Sequence, residues 1–390
     1  MNSPLTLDQL EPVLATGRYQ ARTLPADAYL RDDVYEFERQ KFFEASWVCG
    51  GRLDGLAENG TQKAVSVLGE SLLLVRGADG VLRAFHNVCR HRGHQLLPEG
   101  QCTTHRAIVC PYHAWAYNLD GSLRVAPTMK EEEDFPRSEF PLQSVAVTEW
   151  FGWFFVNFSG DAPSLRDQLG NAFDLPAIWE PERMTVELSS QYEIAANWKL
   201  IIENYMECYH CPSIHPALCR VTYVDSVDFI EHSGAWLGGF MDLIEGVETM
   251  SLTGQSGGVR LRGLDDRRAR QVLYMALMPN LLLTLHPDYV MTHRIDPIGP
   301  KQTAVECAWL FPPEAKELPG FDPAYAKDFW HLTNSEDLGA CASVQLGLAS
   351  KGYRRGPFAA AESEVLATQR MFARGYLDGR LSPEPAVAPA

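Results

Sequence analysis

Two short pairings of cysteine with histidine constrain this chain more than any other feature. Cys89-x-His91 is followed, after an 18-residue gap at positions 92–109, by Cys110-x-x-His113. Two thiolates and two imidazoles on two hairpin-like loops can hold one [2Fe–2S] cluster, with both cysteines on one iron and both histidines on the other. Because imidazole is neutral, that iron is easier to reduce than one with thiolate ligands only. The pattern therefore predicts an electron carrier.

Zinc is the alternative metal for four ligands of these types. Structural zinc sites usually contain Cys-x-x-Cys or His-x₃₋₅-His halves, whereas each half here joins one Cys to one His. Pairs of unlike ligands suit a cluster whose two irons are bound differently. The neighbouring residues are Arg92-Gly93 after the first histidine, Pro111-Tyr112 before the last, and Trp115 after it.

With these neighbours, the segment from His86 to Leu123 resembles the Rieske domain of Rieske non-heme iron oxygenases, although the 18-residue gap is slightly long. The resemblance implies a [2Fe–2S] cluster whose ligands are Cys89, His91, Cys110 and His113. We interpret the nearby His94 as a surface or loop histidine, because Cys-x-His already assigns His91.

The distribution of apolar, polar and turn-forming residues along the chain predicts four parts. From Trp47 to Phe158, short apolar runs broken by Gly, Asp and Asn predict a small antiparallel β domain with the cluster at two loop tips. One of its strands is predicted at Val65–Val75. Further on, a C-terminal helical stretch is predicted from Asp328 to Tyr376. The parts are an N-terminal helical segment at 1–45, the β domain at 46–160, a second domain at 161–380 and a Pro/Ala-rich disordered tail at 381–390.

Composition argues against several classes of function. The formal net charge of −16 is opposite to what a nucleic-acid-binding surface needs. The most apolar stretch, Leu273–Leu285, contains Pro279 and is too short to cross a bilayer. No charged segment followed by an apolar core opens the chain. We therefore expect a cytoplasmic protein whose remaining cysteines are reduced thiols.

A second candidate metal site begins after Asn197, which is suited to cap a helix predicted at Trp198–Tyr209. Glu207 and His210 are three residues apart, so a helix would place them on one face. This face offers one carboxylate and one imidazole.

The chain also has a means of bringing a second histidine to the same ion. His210 and His215 would diverge by about 140° on an unbroken helix, but Pro212 disfavours helix at the residue before it and lets the chain bend. Two histidines with one carboxylate from elsewhere form a site that holds Fe(II) and leaves positions open for O₂ and substrate. Cys208-x-x-Cys211 interleaves with these residues, and a zinc pair, a redox pair or simple packing are its alternative interpretations.

The pattern E-N-x-x-E-x-x-H-x₄-H, which begins at Glu203, resembles the mononuclear iron motif of the same oxygenases. The resemblance now covers both halves of the chain, from about Trp47 to Tyr376. It implies a mononuclear Fe(II), with functional residues Asn204, Glu207, His210 and His215.

The third iron ligand in that family is an acidic residue on a C-terminal helix. Residues 334–345 resemble this helix, and we expect Asp337 to be the ligand, with Glu336 as the alternative. The competing interpretation is that both acids form the charged first turn of a helix, where the helix dipole favours them.

Glu207 stands where the family usually has Asp. In the family this residue links a cluster histidine of one subunit to an iron histidine of its neighbour. The resemblance therefore implies that His91 or His113 of one subunit hydrogen-bonds Glu207 of another, that Glu207 bonds His210, and that the protein is a homotrimer. Glu at this position is similar to the carnitine monooxygenase-like group and to relatives that act on betaines and other quaternary ammonium compounds.

The resemblance implies an α+β chain in which an N-terminal antiparallel β Rieske domain precedes a helix-grip catalytic domain. Such a terminal oxygenase takes electrons, originally from NAD(P)H, from a separate flavin- or ferredoxin-type reductase and uses O₂ to hydroxylate a small molecule. We expect hydroxylation beside a quaternary or tertiary nitrogen, followed by N-dealkylation. The alternatives are an aromatic-ring hydroxylase or O-demethylase, a plain electron carrier, and a non-catalytic binding module. Aromatic faces suit a cationic substrate, and residues that could supply them, or pack in the core instead, are Trp236, Tyr274, Tyr289, Trp309 and Phe311.

Overall fold

The computed structural model describes residues 2–129 and 134–382. Contacts within the chain divide it into two compact units. Residues 49–162 form the smaller unit, and residues 1–48 together with 163–390 form the larger one.

The smaller unit is built from antiparallel strands, as its short apolar runs predicted. The strands are β1 (Val48–Arg52), β2 (Thr61–Val67), β3 (Glu70–Arg76), β4 (Leu82–His86), β5 (Cys102–Thr104), β6 (Ile108–Val109), β7 (Ala116–Tyr117), β8 (Leu123–Val125), β9 (Ser144–Trp150) and β10 (Trp153–Asn157). Seven of them form one sheet in the order β1-β10-β9-β4-β3-β2-β5, with antiparallel pairing from β10 across to β5. The remaining three form a small antiparallel sheet, β6-β7-β8.

The run Val65–Val75, predicted as a single strand, is instead a tight hairpin between β2 and β3. The chain reverses at Leu68 and Gly69, whose φ angles are 53° and 82°. Two consecutive residues with positive φ give a turn that matches the twist of the flanking strands. The apolar pattern continues through the turn, so the pattern alone did not reveal it.

The larger unit contains a seven-stranded antiparallel sheet. Its strands are β11 (Thr185–Ile194), β12 (Asp228–Phe229), β13 (Trp236–Asp242), β14 (Gln271–Leu277), β15 (Leu281–Leu285), β16 (Val290–Gly299) and β17 (Gln302–Phe311), and their order is β11-β17-β16-β15-β14-β13-β12. Every residue of β15 is buried, so both faces of the sheet are covered at its centre.

Further helices of the larger unit lie before β11, between β11 and β12, and after β17. They are α4 (Leu165–Leu169), α5 (Trp198–Tyr205), α6 (Cys211–Ile214), α7 (Ala324–Leu348) and α8 (Ser363–Asp378). The helical stretch predicted from Asp328 to Tyr376 is therefore two helices, because the chain between them contains Gly352 and a Gly356-Pro357 pair. Of the predicted tail at 381–390, only the first two residues lie within the described part of the chain.

Helix α5 begins as predicted but ends four residues early. The Asn197 side chain accepts the backbone N–H of Lys199 at 3.1 Å and so caps the helix. The predicted end was Tyr209, whereas the helix stops at Tyr205. Beyond it, the Glu207 carboxylate accepts the backbone N–H groups of Tyr209 and His210. This side-chain turn replaces the helical hydrogen bonds that would have continued α5.

The N-terminal segment packs within the larger unit. It contains α1 (Leu7–Leu14), α2 (Asp27–Leu30), α3 (Asp32–Glu38) and a short π-helix (Arg39–Glu44). Glu38, at the end of α3, is fully buried and accepts hydrogen bonds from Lys199 Nζ at 2.5 Å and Trp198 Nε1 at 2.7 Å. A buried charge needs such a partner, so this ion pair fixes α3 against α5.

Across residues 2–129 and 134–382, no helix combines the length and apolar character needed to cross a membrane.

Candidate functional site

Two loops of matching geometry carry the predicted cluster ligands of the smaller unit. The backbone N–H groups of Cys89 and Cys110 each donate, at 2.8 Å, to the carbonyl five residues further on. Four residues after each cysteine the φ angle is positive, 74° at Gly93 and 56° at Ala114, and the N–H there returns to the cysteine carbonyl. The two halves of the sequence motif thus fold into equivalent loops.

The four predicted ligands lie on these loops. Cys89 and Cys110 are buried, whereas His91 and His113 are partly exposed and their ring centroids are 4.7 Å apart. His94 is exposed, in agreement with its interpretation as a surface histidine. The loops therefore present two sulfurs inside and two imidazoles at the edge.

The side chains around the cysteines suit a metal-bound sulfur. The Tyr117 hydroxyl accepts the N–H of Arg90 at 3.0 Å and lies 3.3 Å from Cys89 Sγ, so its own proton can point at that sulfur. Burial raises the pKa of the Cys89 thiol, and a bound cation would offset this by stabilising the thiolate. Trp115 stacks on His91 with ring centroids 4.9 Å apart. These contacts fit a [2Fe–2S] cluster held by two cysteines and two histidines.

A single zinc ion fits these four residues less well. Within the described ranges, the one group of His, Cys, Asp or Glu ligand atoms that converges within 4.8 Å, as a single ion requires, is His210, His215 and Asp337. The four predicted ligands of the smaller unit do not form such a group, which is expected of residues that surround two irons.

His210, His215 and Asp337 meet in the larger unit. His210 Nε2 and His215 Nε2 are 3.2 Å apart, and Asp337 Oδ1 lies 2.8 Å from the nitrogen of His215 and 3.3 Å from that of His210. Neighbouring ligands of an octahedral metal with bonds of about 2.1 Å lie about 3 Å apart. The three atoms therefore already have the spacing of adjacent metal ligands.

The electrostatics of this group also suit a cation. Burial lowers the pKa of His210, but hydrogen bonds to Asp337 and Glu207 outweigh it and raise the pKa to about 9. Burial alone would raise the pKa of the Asp337 carboxyl, but its hydrogen bonds with the two histidines leave this pKa below the usual value. The set attracts positive charge, and its two nitrogens and one carboxylate have the ligand types of a 2-His-1-carboxylate iron site.

Two further acids hold the outer nitrogens of the histidine rings. Glu207 Oε1 lies 2.5 Å from His210 Nδ1, and Glu336 Oε2 lies 2.7 Å from His215 Nδ1. Glu336, the alternative third ligand, thus lies on the far side of the His215 ring, while Asp337 lies on the near side. Glu336 and Asp337 fall in the middle of the 25-residue helix α7, so the interpretation of these two acids as a charged first turn is wrong.

Glu203 and Asn204, the other acid and the amide of the sequence motif, lie in different places. Asn204 lines the pocket beside Asp337. Glu203 is buried and accepts hydrogen bonds from the Tyr29 hydroxyl at 2.7 Å and from Gln369 Nε2 at 2.9 Å. Glu203 therefore connects α5 to α2 and α8 and does not face the ligands.

A pocket opens beside His210, His215 and Asp337. Its aromatic lining comes from Tyr205, Tyr274 and Trp330, together with Phe229 at the sheet edge. Its acids are Glu207 and Asp337, and none of the described residues that line it is Lys or Arg.

Only one of the five aromatic residues proposed from the sequence lies in this lining. Tyr274 does, whereas the other four are buried elsewhere in the core, namely Trp236, Tyr289, Trp309 and Phe311. Tyr205, Phe229 and Trp330 were missed. Phe229 and Trp330 lie on a two-residue strand and a long helix whose local sequences give no signal of a pocket, and Tyr205 is the last residue of α5.

Cys208 and Cys211 form a disulfide in the wall of the same pocket. Of the interpretations left open for this pair, the structure favours the redox pair. The expectation that all cysteines outside the cluster are reduced thiols is wrong for these two. The bond encloses Tyr209 and His210 in a four-residue ring.

Comparison with protein families gives two matches that together span most of the chain. The family described as "Rieske [2Fe-2S] domain" matches residues 46–146, and the family described as "Ring hydroxylating alpha subunit (catalytic domain)" matches residues 181–377.

Individual relatives and solved structures agree with these matches. The glycine betaine monooxygenase oxygenase subunit of Chromohalobacter salexigens is 31% identical over 94% of this chain and 88% of its own length. The carnitine monooxygenase oxygenase subunit of Escherichia coli is 38% identical over 56% of this chain and 58% of its own length. The crystal structure of the quaternary ammonium Rieske monooxygenase CntA with its substrate L-carnitine is 28% identical, has a TM-score of 0.79, and covers 95% of this chain and 99% of that one.

Proposed function

This chain belongs to the ring-hydroxylating oxygenase α subunits with a Rieske domain, and from that premise we propose that it oxygenates a quaternary ammonium compound beside the nitrogen. The predicted family, the α+β fold and the two cofactor types, a [2Fe–2S] cluster and a mononuclear iron, are confirmed by these matches. The protein is therefore an oxidoreductase that uses O₂ and works with a separate reductase. The further steps below belong to the proposal, as does a cytoplasmic setting in which a reductase can draw on NAD(P)H.

The proposed iron ligands are His210, His215 and Asp337. When bound there, Fe(II) supplies the centre at which O₂ is activated. The protein's own part is to hold three ligand atoms about 3 Å apart on one side, which leaves the pocket side open. Glu336 fixes the ring of His215 through its outer nitrogen. Asn204, on the pocket wall, is placed to orient a bound molecule.

The proposed cluster ligands are Cys89, His91, Cys110 and His113. The buried sulfurs would hold one iron away from water, and the Tyr117 hydroxyl would donate to Cys89. The partly exposed imidazoles would place the other iron near the surface, where an electron can enter or leave.

Glu207 is proposed to carry the electron path between subunits of a homotrimer. Its side chain and that of His210 are 14% and 20% exposed, whereas His215 is 1% exposed. The iron site thus approaches the surface at the Glu207–His210 edge, and a histidine of a neighbouring subunit can reach the carboxylate there. Glu207 also orients the His210 ring through Nδ1, which favours binding of a metal by Nε2.

The single observation that carries the substrate class is the composition of the pocket. Aromatic faces attract a quaternary ammonium group, which cannot donate a hydrogen bond and cannot lose its charge. Tyr274, Phe229 and Trp330 offer such faces, and the described residues of the lining include two acids but no Lys or Arg. The relatives named above act on glycine betaine and carnitine, which are both quaternary ammonium compounds.

The proposed reaction inserts one oxygen atom of O₂ into a C–H bond. One substrate molecule, one O₂, two electrons and two protons give one hydroxylated product and one water. If the carbon is an N-methyl group, the product has an N–CH₂OH unit. Its C–N bond then breaks to release the tertiary amine, formaldehyde and a proton.

A substrate panel tests this proposal. Purified protein loaded with cluster and iron is combined with a surrogate reductase and NADH, and formaldehyde is measured with glycine betaine, carnitine, choline and stachydrine. Methoxylated aromatic acids in the same assay test the O-demethylase alternative, and chromatography for a hydroxylated product from unsubstituted aromatic acids tests the ring-hydroxylase alternative. Formaldehyde from methylammonium compounds supports the proposal, and turnover of aromatic acids alone would refute it.

A further inference from the structure

We propose that Cys208 and Cys211 are a reversible redox-modification site whose oxidation state controls how firmly the His210 loop is held. The inference rests on the proposed function in taking His210 as an iron ligand and in taking the iron site as the place where O₂ is reduced. The redox chemistry of the pair does not depend on the substrate.

The position of the pair is the first argument. The disulfide joins Cys208 and Cys211, and His210 lies between them in the chain. Glu207 immediately precedes Cys208. The same turn is closed by a backbone hydrogen bond from the N–H of Cys211 to the carbonyl of Cys208 at 3.2 Å. A covalent ring of four residues restricts the backbone torsions of His210, so opening the ring releases a constraint on a proposed ligand.

The second argument is that an oxidant arises next to the pair. Both cysteines line the pocket beside the proposed iron ligands, where O₂ would be reduced. When turnover fails to hydroxylate a substrate, two electrons and two protons convert O₂ into hydrogen peroxide, which is released into this pocket. Cys208 is half-buried and Cys211 is buried, so peroxide meets Cys208 first and Cys211 is placed to resolve the product.

The chemistry balances in two steps. The Cys208 thiol and hydrogen peroxide give a sulfenic acid and one water. The Cys211 thiol then displaces the sulfenic hydroxyl, which forms the S–S bond and a second water, so the two sulfurs together lose the two electrons that reduce the peroxide. A dithiol reductant reverses the change by thiol–disulfide exchange.

No other described cysteine combines these features. Cys49 and Cys102 belong to the smaller unit, where Cys49 is buried and Cys102 is exposed, and Cys219 is half-buried without a partner sulfur. Cys307 and Cys341 are buried singly. Cys102 therefore serves as a control thiol that peroxide can reach without any effect on the His210 loop.

The test follows the pair in the iron- and cluster-loaded enzyme. One sample is reduced with dithiothreitol, and part of it is then reoxidised with one equivalent of hydrogen peroxide. Differential alkylation with mass spectrometry reports the state of each cysteine, and transfer of iron to a chelator reports how firmly the loop holds the metal. The amount of product per O₂ consumed is measured as well, in parallel with the rate of cluster reduction.

We expect reduction to open the pair and to accelerate iron release by about tenfold, because losing a group that holds a metal ligand in place typically weakens metal binding by about 10–100-fold. Reduction should also lower product per O₂ while the rate of cluster reduction stays unchanged, and peroxide should restore both. Cys208→Ser should behave as permanently reduced and ignore both reagents, whereas Cys102→Ser should respond like the wild type. If Cys208→Ser fails to fold, the reduction and reoxidation cycle of the wild type decides alone.

Equal iron release from the reduced and oxidised wild type would overturn the proposal, as would a pair that stays open after peroxide. Neither readout needs a substrate. Failure of every quaternary ammonium compound in the panel would therefore refute the proposed function and leave this inference standing.

Discussion

Glu336 holds the outer nitrogen of His215, with Oε2 2.7 Å from Nδ1. The next residue on the same helix, Asp337, lies 2.8 Å from the other ring nitrogen. Consecutive residues of a helix point about 100° apart, so the His215 ring reaches between them and is held on both edges. One acid is thus positioned as a ligand and its neighbour as the support of a ligand.

This arrangement predicts different effects for the two acids. Glu336→Gln keeps the shape but weakens the acceptor for His215 Nδ1, so we expect iron affinity to fall by about 10–100-fold with the iron site still formed. Asp337→Asn should abolish iron binding at this site and leave the cluster intact. Metal analysis and chelator competition measure both. Glu317→Gln, an exposed acid of the same unit, is the matched control, and an Asp337→Asn protein that retains full iron would reverse the assignment.

Glu207 is expected to matter for electron transfer more than for folding. In Glu207→Gln the cluster should assemble and be reduced at the wild-type rate, because its proposed ligands lie in the other unit. Product formation should fall by about 100-fold, since the carboxylate that orients His210 and would accept a neighbour's histidine is lost. Stopped-flow absorbance of the cluster and product assays separate the two. Glu182→Gln, another exposed site, serves as control, and full activity of Glu207→Gln would rule out a bridging role.

The buried Glu203 carboxyl is expected to make the stability of the folded protein depend on pH, whether or not iron is bound. Burial raises the pKa of this carboxyl to about 7, despite hydrogen bonds from Tyr29 and Gln369 that act in the opposite direction. A raised pKa means that the folded state favours the protonated form. Protonated Glu203 therefore stabilises the folded state. This contribution is fully present below pH 4.5, the pKa of the carboxyl in the unfolded chain, and is lost as the pH rises through about 7.

A neutral amide at this position removes that dependence. Relative to the wild type, Glu203→Gln should gain stability at pH 8, by at most about 3 kcal/mol, and should show little change at pH 4.5. Thermal unfolding at the two pH values measures the difference, and Glu317→Gln should show no such difference. The prediction would be contradicted if the stability of Glu203→Gln minus that of the wild type were smaller at pH 8 than at pH 4.5.

Tyr274 tests the aromatic wall of the pocket. Replacing it with Leu removes one aromatic face, and a cation–π contact of about 0.5–2 kcal/mol corresponds to a rise in KM of about 2–30-fold for a quaternary ammonium substrate. Tyr274→Phe keeps the face and loses only the hydroxyl contact with Met250 Sδ, so its KM should stay near the wild-type value. Equal KM values in the Leu and Phe variants would show that the ring does not bind the cation.

The sequence predicted the parts of this protein that are local in the chain. The Cys-x-His and Cys-x-x-His motifs define two equivalent loops because each loop is closed within five residues. The spacing of His210 and His215 with an intervening Pro212 likewise indicated their convergence. The role of Glu336 and the lining by Phe229 could not be predicted in this way, because both depend on how distant elements pack.

The disulfide was missed for a different reason. A Cys-x-x-Cys spacing is compatible with helix, zinc site or redox pair, and the choice depends on where helix α5 ends. The end is set by Glu207, whose carboxylate takes two backbone N–H groups. A single side-chain turn therefore determined both the length of the helix and the pairing of Cys208 with Cys211.

The charge of the pocket makes a last prediction about substrate preference. Its lining includes Glu207 and Asp337 but no Lys or Arg among the described residues, so a carboxylate brought in with the ammonium group meets two acids and finds no lysine or arginine to pair with. Burying an unpaired charge is costly. Choline should therefore bind more tightly than glycine betaine, which has the same trimethylammonium group and an added carboxylate. Calorimetric titration of the iron-loaded enzyme compares the two, with 3,3-dimethylbutanol, the uncharged analogue of choline, as the control for shape. Tighter binding of glycine betaine would mean that the carboxylate finds a partner other than a basic side chain of the lining.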